Sequence, residues 1–388
     1  MNKPTLELSV VIPCLNEADT LEACIAAAQE GIRNAHCQAE VIVADNGSVD
    51  DSADIARRMG ARVIPVQARG YGSALMGGIQ ASRGRFIVMG DADGSYDFRE
   101  IPNFLAKLRA GDDLVQGCRL PAGGGRVLPG AMPFLHYFWG NPMFTFLARR
   151  MFRAPIHDIY CGLRGFSREL YDRLDQRCTG MEFATEMVLK SSLRREKVSE
   201  IPITLHPDGR RSHAPHLKTF RDGWRTLRFF LFTSPRWLFL IPGAVLLLAG
   251  STGFALAMPG ITLGGATLGA HTLLVSALAI LLGFDAFVFA ISTKVFAISE
   301  GLLPEDPRLT RMFQVLTLEK GLVAGGLALL AGLFLLAMVV LRWSQVEFGD
   351  LDYAATMRWV IPGVLLAALG FQTVLASFFI SILGLRRR

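Results

Sequence analysis

The chain has 388 residues, of which 51% are hydrophobic and only 19% charged, with a formal net charge of +6. A mean hydropathy of +0.35 excludes an ordinary water-soluble domain and a disordered scaffold, and so small a positive excess gives no basis for nucleic-acid binding. Residues 1–235 carry 30 Lys+Arg and 26 Asp+Glu against 10 and 8 in the last 153, so a soluble domain (1–230) is expected to precede a membrane domain (231–388).

In chain order, Met1–Leu8 contains Lys3, Pro4 and Glu7 and lacks the apolar run of a secretory signal, so the soluble domain is expected to stay in the cytoplasm. Apolar β-branched runs follow at Leu8–Ile12, Glu40–Ala44, Arg62–Val66, Phe86–Met89 and Leu114–Gln116, and helix-compatible stretches intervene at 18–32, 50–59, 73–82 and 100–110. This βαβ alternation predicts a mostly parallel sheet with helices on both faces, in which ligands bind beyond the carboxyl ends of the strands. Cys14, Cys24, Cys37, Cys118, Cys161 and Cys178 all fall in this domain without CxxC or CxxH spacing, which points to buried thiols rather than disulfides or zinc.

The loops after three of these strands are acidic: Pro13-Cys-Leu-Asn-Glu17, Asp45-Asn-Gly-Ser-Val-Asp50 and Asp91-Ala-Asp-Gly-Ser-Tyr-Asp97. Neither GxxxxGK[ST] nor a GxGxxG after the first strand is present, so the phosphate cradles of nucleotide triphosphatases and dinucleotide enzymes are missing. A negative rim can hold a diphosphate through a divalent cation, and Asp-x-Asp supplies the hard oxygens that suit Mg²⁺ or Mn²⁺. Paired Asp in a turn also caps helices, but the position after a strand, with two similar loops beside it, favours the metal reading. Arg69-Gly-Tyr-Gly72 offers either backbone approach to a donor or a Gly turn closing onto a helix.

Further along, residues 131–153 are crowded with aromatics and closed by Arg149, Arg150 and Arg153, the pattern of an interfacial helix pair, with a buried core helix as the alternative. A basic stretch then holds Arg210, Arg211, His213, His216, Lys218, Arg221, Arg225 and Arg228 against Asp208 and Asp222. Four apolar runs, about 237–258, 272–299, 321–341 and 359–385, uncharged except for Asp285 and Lys294 in the second, are each long enough to cross about 30 Å of hydrocarbon. Arg308, Arg311, Lys320 and the closing Arg386-Arg387-Arg388 place the 300–320 connector and the C-terminus on the cytoplasmic side. Asp285 and Lys294 inside the second span are the marks of a transporter or, more simply, of a snorkelling lysine and a carboxylate satisfied by a neighbouring helix.

The order VVIPCLNE, VADNGSVD, ARGYGSAL, MGDADGSYD, HDIYCGLRGF over roughly residues 6–230 resembles the family 2 glycosyltransferases of GT-A fold. Among them it resembles most the polyisoprenyl-phosphate enzymes of the dolichol-phosphate mannose and glucose synthase type. The resemblance implies an α/β, Rossmann-like GT-A cytoplasmic domain followed by four transmembrane helices. It puts Pro13, Leu15, Glu17, Val43 and Asp45 around the nucleoside, Gly70 and Ala92 against the donor, and Asp91 and Asp93 on the sugar diphosphate through Mg²⁺ or Mn²⁺. Some mannose-type members carry Gln as a further metal ligand where this chain has Ser95. A basic loop supplying Arg210 or Arg211 would reach the diphosphate, while Arg119, Arg126, His136 and Asn141 would face a lipid phosphate.

Asp93, Arg119 and Asp158 are the catalytic candidates, Asp158 either orienting or deprotonating the acceptor or capping a helix start. Glu182 and Glu186, four residues apart, could form an acidic acceptor site but fit a structural role better. The implied activity is inverting transfer of a hexose from a nucleotide sugar, UDP-glucose before GDP-mannose, to polyprenyl phosphate. It would take place at the cytoplasmic face of a membrane such as the bacterial inner membrane, and a homo-oligomer is compatible with it. A processive polysaccharide synthase would need Gln-x-x-Arg-Trp, but Thr233 stands where that Gln would be. A non-catalytic nucleotide-sugar-binding protein or transporter is the competitor from another class.

Overall fold

The computed structural model describes residues 6–211, 219–300, 303–304, 306–315 and 317–384. His213, His216, Lys218 and Arg386–Arg388 lie outside the described residues, as does the side chain of Asp222. The chain divides into two compact units, Met1–Phe230 and Leu231–Arg388.

In the first unit the chain runs β1 (Leu6–Cys14), α1 (Leu21–Asn34), β2 (Ala39–Asp45), α2 (Ser52–Arg58), β3 (Arg62–Pro65), α3 (Tyr71–Ala81), β4 (Gly84–Met89), α4 (Ile101–Arg109) and β5 (Leu114–Cys118). It continues through β6 (Arg126–Val127), α5 (Asn141–Phe152), β7 (Arg164–Ser167), α6 (Arg168–Leu174), α7 (Glu182–Arg194), β8 (Val198–Pro202), β9 (Thr204–Leu205) and α8 (Thr219–Thr233). Seven strands form one sheet in the order β3-β2-β1-β4-β7-β5-β8. Only β7 runs antiparallel to its neighbours in this sheet; the remainder is the parallel sheet that the strand alternation predicts, in the Rossmann-like GT-A arrangement that the resemblance implies.

Alternate residues feed opposite faces of this sheet, because successive strand side chains point to opposite sides. Val10, Ile12, Val41, Val43, Phe86, Val88 and Val115 enter one core with α1 and α4. Val11, Ile42, Ile87, Met89 and Leu114 enter the other with α3, α5 and α7. Strands β7 and β8 were not among the predicted ones. Their buried positions are too few to show alternation, and Gly165 in β7 sits where a Cβ would press on Phe104 and Leu108 of α4. The six cysteines are free thiols, four of them buried, and burial pushes Cys24 and Cys161 up to about 12.

The second unit contains a π-turn at Arg236–Leu240 leading into α9 (Ile241–Ala257), a hairpin of β10 (Thr262–Leu263) and β11 (Ala266–Thr267), α10 (Ala270–Ser299), α11 (Pro307–Val315), α12 (Leu318–Gln345) and α13 (Tyr353–Leu383). Four helices, Arg236–Ala257, Ala270–Ser299, Leu318–Gln345 and Tyr353–Leu383, are long and apolar enough to cross a membrane. Large apolar side chains such as Leu248, Leu333 and Phe371 face outward from them, an arrangement that only lipid tolerates, so the protein is an integral membrane protein. The last two helices outrun the uncharged stretches of the sequence. Arg342 lies over the ring of Trp359, 5.2 Å from its centroid, which lets both helices carry a charged turn at the interface. Lys294 pairs with Asp306 rather than standing alone in its span. Helices α12 and α13 touch backbone to backbone, the Gly332 site abutting Ala367 and the Gly370 site abutting Leu329.

Candidate active site

The carboxyl ends of β1, β2 and β4 bring the three acidic loops to one edge, where hydrogen bonds lace them together. Asn16, in the left-handed region at φ 59, turns the first loop out of β1. Its side chain accepts from Val49 N (2.8 Å), while Ser52 Oγ accepts from Glu17 N (2.8 Å). Asp45 Oδ1 accepts from Ser48 N (3.1 Å), and Asn46 spans from the carbonyls of Val66 and Ala68 to the amide of Gly70. Polar side chains therefore replace backbone pairing where the strands stop.

At the centre Tyr71 Oη donates to Asp91 Oδ1 (2.8 Å), and Asp93 Oδ1 accepts from both Ser95 N (2.9 Å) and Ser95 Oγ (2.6 Å). Ser95 thus braces Asp93. Burial, then the negative Asp93 beside it, pushes the Asp91 carboxyl up to about 7 against the opposing hydrogen bond from Tyr71. A half-buried carboxylate beside a second one is a donor pair that a divalent cation would relieve. The Oδ2 of each stays outside these hydrogen bonds, so the pair fits a hard cation completed by phosphate and water oxygens. Among the described residues no group of three or more His, Cys, Asp or Glu side chains could hold a metal unaided.

Over this pair lies the segment 206–211. Gly209 N donates to Asp93 O (2.9 Å) and His206 N to Ser95 O (2.9 Å). The guanidinium of Arg210 forks onto Glu17 (2.7–3.0 Å) and comes within 3.6 Å of Asp93 Oδ2. Burial disfavours its charge, but Glu17 and Asp93 outweigh this and raise its pKa above the ordinary value. Arg211 is exposed, with its amide on Asp19 (3.0 Å).

A second centre sits at the end of β5. Asp158, fully buried, accepts from Arg119 N (3.0 Å), Nε (2.7 Å) and Nη2 (2.8 Å) and from Tyr160 N (3.3 Å). It caps no helix, and these donors surround both of its oxygens. The remaining Arg119 nitrogen, Nη1, donates to Tyr96 Oη (3.4 Å), which also accepts from Gly162 N (2.8 Å). A Cβ at Gly162 would lie 2.7 Å from Asp91 Oδ2, so the absent side chain is what lets the two centres meet.

The other sequence candidates distribute unevenly. Val43 and Ala92 belong to the buried core, which leaves only their backbone to a ligand, while Pro13 is buried and Leu15 half-buried beside the first loop. Gly70 and Gly72 abut the backbone of Cys178 and Thr179, so the Arg69–Gly72 turn closes onto protein. Arg126 is exposed on β6, and Asn141 is buried with its amide on Met132 Sδ (3.2 Å). His136 is half-buried, and burial followed by the positive Arg119 holds its imidazole below the usual range. Glu186 accepts from Arg177 N (3.1 Å) and Cys178 N (2.9 Å) and pairs with Lys190 (2.7 Å), which is a structural role. Tyr71 and Tyr96 sit inside quoted motifs but carry no acidic signal; Glu200, on an edge strand, has no sequence signal at all.

Residues 9–175 match the glycosyl transferase family 2 domain, and residues 291–384 match the glycosyltransferase family 2 C-terminal transmembrane region. The low-salt glycan biosynthesis hexosyltransferase of Haloferax volcanii is 37% identical over 379 residues, covering 97% of this chain and 89% of that protein. The dolichyl-phosphate hexose transferase of the same organism is 32% identical over 198 residues, 51% of this chain and 82% of that protein. Among solved structures, glucosyl-3-phosphoglycerate synthase from Mycobacterium tuberculosis, in complex with Mn²⁺, UDP and glucosyl-3-phosphoglycerate, aligns with a TM-score of 0.45 at 20% identity, over 58% of this chain and 78% of that one.

Proposed function

The chain belongs to glycosyltransferase family 2, and on that premise we propose that it transfers a hexose, with inversion, from a nucleotide diphosphate sugar to the phosphate of a polyprenyl lipid. That it is a membrane-embedded glycosyltransferase related to dolichyl-phosphate hexose transferases is established by the relatives. The donor and the acceptor are the proposal, with UDP-glucose preferred to GDP-mannose. The observation that supports it best is the bipolar site. A half-buried carboxylate pair suited to a metal-held diphosphate meets, across Gly162 and Tyr96, a buried arginine suited to a second phosphate.

In this reading Glu17 and Asp45 flank the nucleoside, and Asp91 and Asp93 hold Mg²⁺ or Mn²⁺. The metal, when bound, neutralises charge on the departing diphosphate. Arg210 adds a positive group on the same side and gives up Glu17 for phosphate when donor enters. Arg119 faces the acceptor phosphate, and Asp158 acts through it as a positioning residue. Because a phosphate monoester has its second pKa near about 6, the acceptor oxygen attacks as a dianion and needs no strong base. Positioning and charge neutralisation then supply most of the rate. The glycosyltransferase unit and the C-terminus would face the cytoplasm, where nucleotide sugars are made, as Arg308, Arg311 and Lys320 in the 300–320 connector favour.

The test is a matrix of donors and acceptors: full-length protein in detergent with Mn²⁺ or Mg²⁺, a panel of UDP- and GDP-sugars, and undecaprenyl or dolichyl phosphate, read by mass spectrometry of the lipids. One hexose on the lipid phosphate is the expected product. Donors left intact, or only hydrolysed, would move the polysaccharide-synthase and binding-only readings ahead.

A further inference from the structure

Glu200 lies on the edge strand β8, whose parallel pairing with β5 sets it opposite Gln116, three residues before Arg119. Register partners in a parallel pair point to the same face of the sheet, so both side chains reach one irregular turn, residues 157–161, on the way into β7. Glu200 Oε1 accepts from His157 N (2.6 Å) and Asp158 N (3.2 Å), and its Oε2 meets His157 Nδ1 (2.7 Å). From the neighbouring strand, Gln116 Nε2 donates to Asp158 O (3.2 Å) and Cys161 O (3.0 Å). The backbone of Asp158 is thereby fixed at both its polar groups, the amide by Glu200 and the carbonyl by Gln116. Gln116 is fully buried and the Glu200 side chain is 10% exposed, so water is a poor substitute for either.

What this cradle delivers is the Asp158 carboxylate. Arg119 commits Nε and Nη2 to it, so the plane of the guanidinium follows the plane of the carboxylate, and a tilt of Asp158 swings the remaining nitrogen, Nη1, away from Tyr96 Oη. The donor carboxylates are braced separately, Asp91 by Tyr71 and Asp93 by Ser95. A fault that starts at Glu200 should therefore fall on one substrate only.

We propose that Glu200 is a positioning residue for the acceptor: together with Gln116 it fixes the backbone of Asp158, and through Asp158 it aims the Arg119 guanidinium at the acceptor phosphate. This rests on the acceptor class, and on the place of Arg119, proposed above. The requirement is for acceptor geometry rather than for charge. A glutamine meets it, with Oε1 taking both amides and Nε2 donating to Nδ1 of the other histidine tautomer. Alanine leaves three donors without an acceptor, and aspartate is one methylene too short to reach them.

The test compares E200A, E200D and E200Q in the full-length protein. E200A and E200D are expected to raise KM for undecaprenyl phosphate roughly tenfold and to leave KM for the nucleotide sugar within about twofold. E200Q should return the lipid KM to within about twofold of wild type, and E200A should add less than about twofold to the loss in D158N, because both act through one carboxylate. Hydrogen exchange in peptides covering 157–161 should quicken about tenfold in E200A and not in E200Q. If E200A does not fold, E200D and E200Q carry the comparison. A lipid KM unchanged in E200A and E200D, both KM values raised alike, a tenfold loss in E200Q, or a full further loss on top of D158N overturns the assignment. A wild-type protein that transfers no hexose to polyprenyl phosphate sinks the proposed function instead. Faster exchange at 157–161 in E200A alone would then uphold the cradle, and exchange equal to wild type would remove it as well.

Discussion

The donor edge and the acceptor side belong to the same unit but are held by different means. At the proposed donor edge three loops leave adjacent strands and are braced over short spans: Ser48 on Asp45 and Ser95 on Asp93 within their own loops, Ser52 on the Glu17 amide across two of them, and Tyr71 of α3 on Asp91. On the acceptor side no segment is sufficient alone. Arg119 needs Asp158, 39 residues on, and His157 needs Glu200, 43 residues on. Chemistry carried by strand ends comes with the sheet; chemistry assembled from distant partners comes only with complete packing.

If the donor edge holds the metal through its two carboxylates, removing either charge should cost most. D91N and D93N are each expected to lower kcat/KM on the order of a thousandfold at saturating lipid, because the leaving diphosphate loses its counter-charge. Steady-state rates check this, and a loss under tenfold in both variants would remove these carboxylates from the chemistry.

On the acceptor side the loss should be smaller and strongly coupled. R119K keeps the charge but not the fork, so a drop of roughly a hundredfold is expected. D158N should do about the same, and R119K/D158N should be little worse than either, since both break one unit. Additive losses in the double-mutant cycle would mean that Asp158 acts independently. Cutting a buried pair on one side should also destabilise by about 3 kcal/mol, which thermal unfolding of D158N can read.

The donor edge also predicts a pH dependence. Asp91 titrates at about 7 in the folded, metal-free protein against an ordinary 3.8. The stability it contributes is therefore fully present below the ordinary carboxylate value and is lost as pH rises through about 7. Metal displaces that proton, so apparent Mn²⁺ affinity should rise up to about tenfold per pH unit below 7 and level off above it, and D91N should flatten the curve. Calorimetric titration across this range measures both; an affinity that does not change with pH would show Asp91 already ionised.

The mildest effect should come from the exposed aromatics. F138S/W139S should leave thermal stability within about 0.5 kcal/mol, because both side chains face outward. It should slow transfer to bilayer-embedded acceptor several-fold and spare a short-chain acceptor in detergent, an effect worth about 1 kcal/mol. Equal losses on both acceptors would make these rings part of the fold rather than of membrane contact.

The five strands, the acidic loops and the four spans were legible because each is a contiguous signal: an apolar run, a motif after it, or an uncharged stretch. Strands β7 and β8 were not, since the four residues of β7 are all buried and the five of the edge strand β8 include a single buried one, so neither shows a period. For Asp158 the sequence offered a base or a helix cap, and the fold made it an arginine clamp. For Arg69–Gly72 it left donor and packing equally open, and the structure adds that Gly70 and Gly72 pack closely on the backbone of Cys178 and Thr179.

The sequence by itself therefore determined the family, the division into a charged α/β unit and an apolar helical one, and the carboxylates at the strand ends. Those properties depend on local composition and on the spacing of neighbours in the chain. Only the tertiary structure decided which cation faces which anion: Arg210 with Glu17 across 193 residues, Arg119 with Asp158, His157 with Glu200. Charge pairing falls off steeply with distance and is strongest where water is excluded, and neither distance nor exclusion is written along the chain.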